Sequence, residues 1–367
     1  MVFHSYYLLG LYFLRTTFSD AKIKPMKFNS HALGFWDKTC SFDHLSTEEV
    51  HLPTKPFLPP EKLMMPNGTT SRRNFLRLGS GAAIATCISR PAAAIDPIKR
   101  TGDAKFKFSM AAYSYRKLLQ GKDAKLTLFD FVNDCAAAGL EGTELTSYYF
   151  PSDVTPEYLR KLKQHCFRLG LDISGTAVGN DFGHPPGPER DDQLAHVKRW
   201  VDYAEIMGAP VIRIFAGHPK KGQTPDESHA LMVSGMEECC EYAGQHGVHL
   251  ALENHGGPTA SIAGLLALVQ DVQSPWFGVN LDTGNFHSDD IYGELEKAAP
   301  YALNVQVKVV VSGADRKKKP ADFKRLHQIL KDCGYRGYIV LEYEESDDPR
   351  QACPKYLRQL RNDFGAA

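Results

Sequence analysis

The sequence predicts an α/β protein of the (β/α)8 TIM-barrel class, and three observations carry that prediction. From about residue 105 onward, eight short apolar runs alternate with segments whose apolar residues recur at helical spacing. Several of those segments close on Gly just before the next run, which is the expected helix stop. No G-x-G-x-x-G or P-loop follows the first run, which weakens a nucleotide-binding open sheet. Short buried runs between helices mean parallel strands joined by crossover helices. Eight such units in roughly 260 residues fit a closed barrel.

In order, "FKFSMAAY" near 106 reads as the first strand, followed by the helix "TLFDFVNDCAAAGL". "GTELTS" near 142 leads into "TPEYLRKLKQHCFRLGL", and "LDISGTAV" near 171 into "QLAHVKRWVDYAEIMGA". "VIRIFAG" at 211, "HLALEN" at 249 and "FGVNLD" at 277 supply strands four to six. "NVQVKV" at 304 is the seventh, and "ADFKRLHQILKDCGY" carries the chain to the eighth, "YIVLEY" at 338.

The 367 residues are 43% hydrophobic and 23% charged, as expected of a globular protein. Lys plus Arg and Asp plus Glu both count 43, so the formal net charge is zero. Nothing in that balance advertises a nucleic-acid or anionic-membrane partner. The eight cysteines include no CxxC pair and fall mostly in helical segments, which reads as small buried thiols and not a disulfide framework.

Ahead of the barrel, "SRRNFLR" at 71–77 precedes the Gly/Ala-rich run "LGSGAAIATCISRPAAA". This resembles a twin-arginine (Tat) export signal, with Arg72 and Arg73 as the arginine pair and cleavage expected after Ala94. The resemblance implies a periplasmic protein with no stable membrane association after cleavage. Met64 or Met65 would set the arginines at a normal distance from a start. Residues 1–63 are therefore expected to be disordered or a mis-assigned start, 64–94 the signal, 95–104 a linker, and 105–367 the catalytic barrel.

Barrel enzymes place their chemistry at the C-terminal ends of the strands. Strand two carries Glu144, and strand four carries Arg213, with His218 beyond it. Strand five ends in Glu253, Asn254 and His255; strand six brings Asp282, Asn285 and His287. Gln306 and Lys308 lie on strand seven, Glu342 on strand eight with Glu344 after it. Glu144, Glu253, Asp282 and Glu342 sit at comparable depths, so closing the barrel aims four carboxylates at one axial spot. They could not all stay ionised unaided, and a divalent cation resolves the conflict. Oxygen-rich ligation favours Mn2+, Mg2+ or Co2+ over structural zinc.

The motifs "ALENHGG", "NLDTGNF", "NVQVKV" and "VLEYE", one per unit, resemble the xylose isomerase-like sugar-phosphate isomerase/epimerase superfamily over essentially all the chain after 105. The resemblance implies one divalent metal, Mn2+ first, held by Glu253, Asp282, the residue at 306 and Glu342. It also implies that Glu253 and Glu342 double as the acid/base pair of a sugar isomerase or epimerase. The family pattern has His where this chain has Gln306; an amide oxygen ligates a hard cation more weakly than imidazole. Substrate contacts are expected from Glu144, Arg213, His218, His255, His287, Lys308 and Tyr113, with Tyr148, Tyr149 and Phe150 at the mouth. The family's habit makes a homo-oligomer the default.

Each of these residues also has a plainer reading. Glu253 could cap its strand and pair with Lys308, Asp282 could be a turn residue, and Glu144 could pair with Arg213. The loop histidines could be incidental, and "DRKKKP" at 315–320 reads as a solvated loop, not a phosphate grip. Three other functions share the scaffold: a lyase or hydrolase of oxidised sugars, a non-catalytic sugar-binding barrel, and an endonuclease IV-like phosphoesterase. The last needs more metals and more histidines.

Overall fold

All eight apolar runs form strands. A computed structural model describes residues 96–121 and 124–365. The expected start at 1–63 and the twin-arginine segment lie outside the described residues. Residues 96–104 form neither helix nor strand, yet they are tied to the barrel. Ile98 N donates to Pro300 O at 3.0 Å, and Arg100 Nη2 to Ala302 O at 2.5 Å.

The barrel strands are β1 (Lys105–Met110), β2 (Gly142–Thr146), β3 (Asp172–Ala177), β4 (Val211–Ile214), β5 (His249–Glu253), β6 (Phe277–Asp282), β7 (Ala302–Val307) and, after a hairpin, β10 (Arg336–Leu341). Their order is β1-β10-β7-β6-β5-β4-β3-β2, every neighbouring pair parallel. The nearly closed ring meets between β1 and β2 through the bridge of Ala111 to Glu144 and through Glu141, whose N donates to Phe108 O at 3.0 Å and whose Oε2 accepts from Phe108 N at 2.8 Å. The hairpin, β8 (Val310–Ser312) with β9 (Lys318–Pro320), is antiparallel and was not expected. It places the charged run 315–320 in an exposed turn and strand at the rim, so that run is partly ordered and not simply a loop.

Helices α1 (Arg116–Leu119), α2 (Leu128–Ala137), α3 (Pro156–Arg168), α4 (Pro188–Met207), α5 (Pro225–Gln245), α6 (Ile262–Asp271), α7 (Ile291–Ala298), α8 (Phe323–Asp332) and α9 (Pro349–Asp363) surround the strands. Their starts follow from local chemistry. Thr127 and Thr224 make reciprocal capping boxes with Asp130 and Glu227, each cap contributing about 1 kcal/mol. Gly208, at φ 77°, closes α4 in the left-handed conformation that a side chain would oppose.

Apolar residues on the inner helix faces, among them Phe131, Leu162, Val201, Met236 and Leu268, pack against the outer strand faces. The six cysteines among the described residues are free thiols, five of them buried. The lumen is different. A barrel interior is usually filled by branched aliphatics, whereas here Ser109, Glu144, Ser174, Asn280, Asn304 and Gln306 are buried inside. Buried polar groups cost free energy unless bonded, and these are: the Ser109 and Ser174 hydroxyls stand 2.8 Å apart. A largely polar lumen, with Ala251 and Val340 among its few apolar residues, is a scaffold built to hold charge at its open end.

Candidate active site

The three residues that end β5 have three separate tasks. Glu253 projects into the lumen, where Asn285 Nδ2 donates to Oε1 at 2.9 Å and Arg213 Nε lies 2.8 Å from Oε2. Asn254 turns to β6: its Nδ2 donates to Asp282 O and its Oδ1 accepts from Asp282 N, both at 2.9 Å. The amide thereby acts as an extra rung of sheet and fixes Asp282. His255 stacks on Phe215, ring centroids 4.4 Å apart, and its backbone N donates to Thr259 Oγ1 at 2.9 Å. The Arg213 guanidinium covers Phe215 at 4.0 Å, giving a layered Arg213–Phe215–His255 wall.

Opposite this wall stands Lys308. Its ammonium is hydrogen-bonded to Glu342, lies 2.9 Å from Glu344 Oε1 and 3.2 Å from Asp282 Oδ2, and is almost wholly buried. Neither of the plainer pairings weighed from sequence forms: Glu253 pairs with Arg213 and not Lys308, and Glu144 does not pair with Arg213. Glu144 instead accepts from Gln306 Nε2 at 2.7 Å and Asn304 Nδ2 at 2.8 Å.

A cavity of about 250 Å3 opens among Tyr113, Tyr148, Arg213, Phe215, Glu253, His255, Asn285, Lys308, Glu342 and Glu344. All of these but Phe215 were singled out from sequence. Asp282 lies directly beneath, fully buried. Gln306 and Glu144 are deeper in the lumen, and the Gln306 carboxamide is engaged on both sides, its Oε1 accepting from Asn280 Nδ2 at 2.6 Å. His218 is exposed and outside the lining, and His287 gives Nδ1 to Ser312 O at 2.9 Å, tying the β6 loop to the hairpin. Phe215 was missed, since "VIRIFAG" reads throughout as a strand. Asn280 and Asn304 were missed too, though each stands two residues before a singled-out one and so on the same strand face.

A larger hollow, about 610 Å3, opens at the opposite ends of the strands beside Lys107, Arg160 and Tyr338. Its one carboxylate, Asp172, is taken by Lys107 and the Tyr338 hydroxyl, and it holds no acid–base pair.

Burial pushes the Glu253 carboxyl well up, against the pull of Arg213, and pushes Asp282 up as well, against Lys308. Glu342 is equally buried, but the Lys308 ammonium outweighs that and holds it below the usual range. Burial, seconded by Arg213, lowers His255. Five carboxyl groups (Glu144, Glu253, Asp282, Glu342 and Glu344) therefore face two permanent cations, Arg213 and Lys308. Asp282 Oδ2 is buried and accepts no hydrogen bond.

The donor set suits a hard divalent cation in kind, being carboxylate and amide oxygens in excess of positive charge, but Asp282 Oδ2 is ion-paired with Lys308 at 3.2 Å. Among the described residues, no three His, Cys, Asp or Glu side chains stand close enough to hold one as they are. The Lys308 ammonium occupies the space between Asp282 and Glu342, and a cation there would displace it.

A family model described as "Xylose isomerase-like TIM barrel" matches residues 132–362. The human protein named "Putative hydroxypyruvate isomerase" is 24% identical over 233 residues, 58% of this chain and 83% of that protein. The inosose dehydratase of Erwinia tasmaniensis is 26% identical over 279 residues, 62% of this chain and 88% of its own. The solved structure of L-ribulose 3-epimerase superposes with a TM-score of 0.59 at 16% identity, covering 71% of this chain and 94% of that one.

Proposed function

Because the chain belongs to the xylose isomerase-like TIM-barrel family, we propose that it isomerises or epimerises a small polyhydroxylated carbonyl compound, a free sugar or a close relative. The reaction would proceed by proton transfer at the carbon next to the carbonyl. The observation that carries this reading is the pair Glu253 and Glu342. They face one cavity of monosaccharide size, each with its own cationic support, Arg213 for one and Lys308 for the other.

One carboxylate removes the carbon-bound proton while Lys308 donates to the oxygen that gains charge. For an epimerase the other carboxyl group, protonated at the outset, gives its own proton to the opposite face; for an isomerase the group that took the proton returns it to the neighbouring carbon. Asn285 and Arg213 keep the Glu253 carboxylate in plane, and Asn254 fixes Asp282. The Phe215–His255 wall with Tyr113 and Tyr148 excludes water and covers the apolar face of the substrate. Glu253, Asp282, Glu342 and the Gln306 oxygen would hold one divalent metal, Mn2+ in preference to Mg2+ or Co2+. When bound, such an ion polarises a carbonyl and acidifies the adjacent C–H. The twin-arginine pattern supports a periplasmic site of action.

A second reading, dehydration, shares the first step. Lys308 favours it, because an ammonium bonded to Glu342 can protonate a departing hydroxyl, and the Erwinia relative bears the name of a dehydratase.

The test is to purify the full chain without chelator, count metal per chain, and incubate it with ketoses, hydroxypyruvate and inosose in D2O. Deuterium at the carbon next to the carbonyl, without loss of water, supports isomerisation or epimerisation. Loss of water supports dehydration. Folded, Mn2+-supplied protein that exchanges no proton in any compound sinks both.

A further inference from the structure

Among the described residues three large apolar side chains are exposed: Tyr148, Phe167 and Leu169. Tyr148 stands at the cavity mouth. Phe167 is 81% exposed near the end of α3, at the opposite end of the barrel, and the proposed reaction has no use for it. A lone exposed ring is ordinary, but this one ends a charged stripe. Lys163 and Arg160 precede it by four and seven residues, which puts all three on one face of the helix. Arg168 follows it directly, and all three cations are exposed. Lys163 Nζ reaches only a backbone carbonyl, Ile206 O at 3.4 Å, and none of the three has an ion-pair partner among the described residues.

A second surface has the opposite sign. A groove of about 790 Å3 between α5 and the turn before β6 is lined by Glu237, Glu238, Glu241, Gly244 and Trp276. Glu238 is paired with Lys198 at 2.7 Å, and Glu237 accepts from Gln273 N at 2.9 Å. Glu241 is exposed and has no ion-pair partner among the described residues. The Trp276 indole lies across the bare Cα of Gly244 and stacks on His249, ring centroids 4.8 Å apart, which fixes an aromatic wall in the groove.

The two surfaces match in order and in length. On α3 the residues run Arg160, Lys163, Phe167; on α5 they run Glu237, Glu241, Gly244, with Trp276 over the glycine. Each set covers seven steps of helix, about 10.5 Å. Laid parallel, the two helices bring cation to carboxylate twice and ring to ring once. Both helices run from the cavity end of the barrel to the other, because every barrel strand runs the opposite way. The parallel pairing therefore keeps two barrels upright side by side. Like surfaces cannot pair so: α3 on α3 sets cations against cations, and α5 on α5 sets carboxylates against carboxylates.

We propose that the occupant of the groove is a second copy of this chain. The α3 stripe of one copy docks on α5 of the next, Phe167 against Trp276, with Arg160 and Lys163 meeting Glu237 and Glu241. The aromatic anchor supplies most of the affinity, and the charges choose the partner and the register. Because stripe and groove are different surfaces, each copy offers one of each.

Sedimentation of the full chain over a dilution series tests this. Wild type should form species of two or more chains at low salt and weaken as salt is raised, since exposed charges are screened. Phe167→Ser and Glu241→Lys should each raise the dissociation constant by about tenfold or more. Both positions are exposed, so far-UV circular dichroism should not change. Phe167→Ser keeps an intact groove and Glu241→Lys keeps an intact stripe. An equal mixture of the two should therefore restore a two-chain species that neither forms alone.

A wild-type chain that stays monomeric at every concentration would overturn the proposal. An assembly that either variant leaves at wild-type strength would do the same, since the contact then lies elsewhere. So would a mixture that sediments no faster than its separate parts, because stripe and groove would then not be partners.

Discussion

Gly284 lies against the aliphatic stem of Lys308: a β-carbon at Gly284 would stand 2.5 Å from Lys308 Cγ and 2.9 Å from its Cβ. The ammonium reaches Asp282, Glu342 and Glu344 because its stem crosses a bare Cα. Gly284→Ala should force the stem aside and cost about 1–3 kcal/mol, the usual range for overpacking. Urea unfolding measures it, and unchanged stability would mean the stem has room to spare.

Glu253→Gln and Glu342→Gln should each lower turnover by about 10²- to 10⁴-fold, the range supplied by a positioned acid or base. Far-UV circular dichroism should not change. Deuterium exchange between substrate and solvent should fall with turnover; exchange that persists in either variant would take that carboxylate out of the proton transfer.

Lys308→Met removes a positive charge from among three carboxylates. Mn2+ should then bind tighter by about tenfold, since ammonium and metal compete for the same negative charge, while turnover falls because no donor meets the developing oxyanion. Weaker Mn2+ binding in this variant would show instead that the ammonium holds the ligands in place.

His249 gives a pH effect remote from the site. At the start of β5 its ring stacks on Trp276, centroids 4.8 Å apart, and its buried Nδ1 has no hydrogen-bond partner. Burial holds its pKa below the usual value of 6.5. Below that value the unfolded chain takes up a proton that the folded one resists, so stability is lost as pH falls toward the lowered pKa. The melting temperature should therefore drop more between pH 7 and pH 5 in wild type than in His249→Phe. An equal drop would show that the ring is protonated in place.

The barrel was legible because its strands are buried on both faces and read as short, mainly apolar runs broken only at lumen-facing polar residues. The β8–β9 hairpin was not, since its strands are three residues long, β8 reads as the tail of the β7 apolar run, and β9 is charged and exposed with no apolar period. Glu253, Asp282 and Glu342 stood out as carboxylates at the ends of buried runs. Their partners did not: whether Arg213 meets Glu144 or Glu253 depends on strand tilt and stagger across the lumen, which no single strand encodes. Asn280 and Asn304 were readable in principle. Counting back two residues from Asp282 and Gln306 puts an amide on the lumen face of β6 and of β7, and a buried amide needs partners.

Every junction in the barrel wall is held by a run of paired residues except the one between β1 and β2, where only the Ala111–Glu144 bridge and the two bonds between Glu141 and Phe108 cross. Glu144 therefore belongs both to the loosest seam of the cylinder and to the most heavily bonded stretch of its interior. The bonds from its side chain to β7 act as a tie-rod, pulling the free edge of β2 inward across the hollow. Slackening that tie lets the wall gape along one slit, and solvent deuterium would reach the amides of β1 and β2 before those of any other strand. The Glu144 side chain thereby shares with Glu141 the work of keeping the cylinder shut.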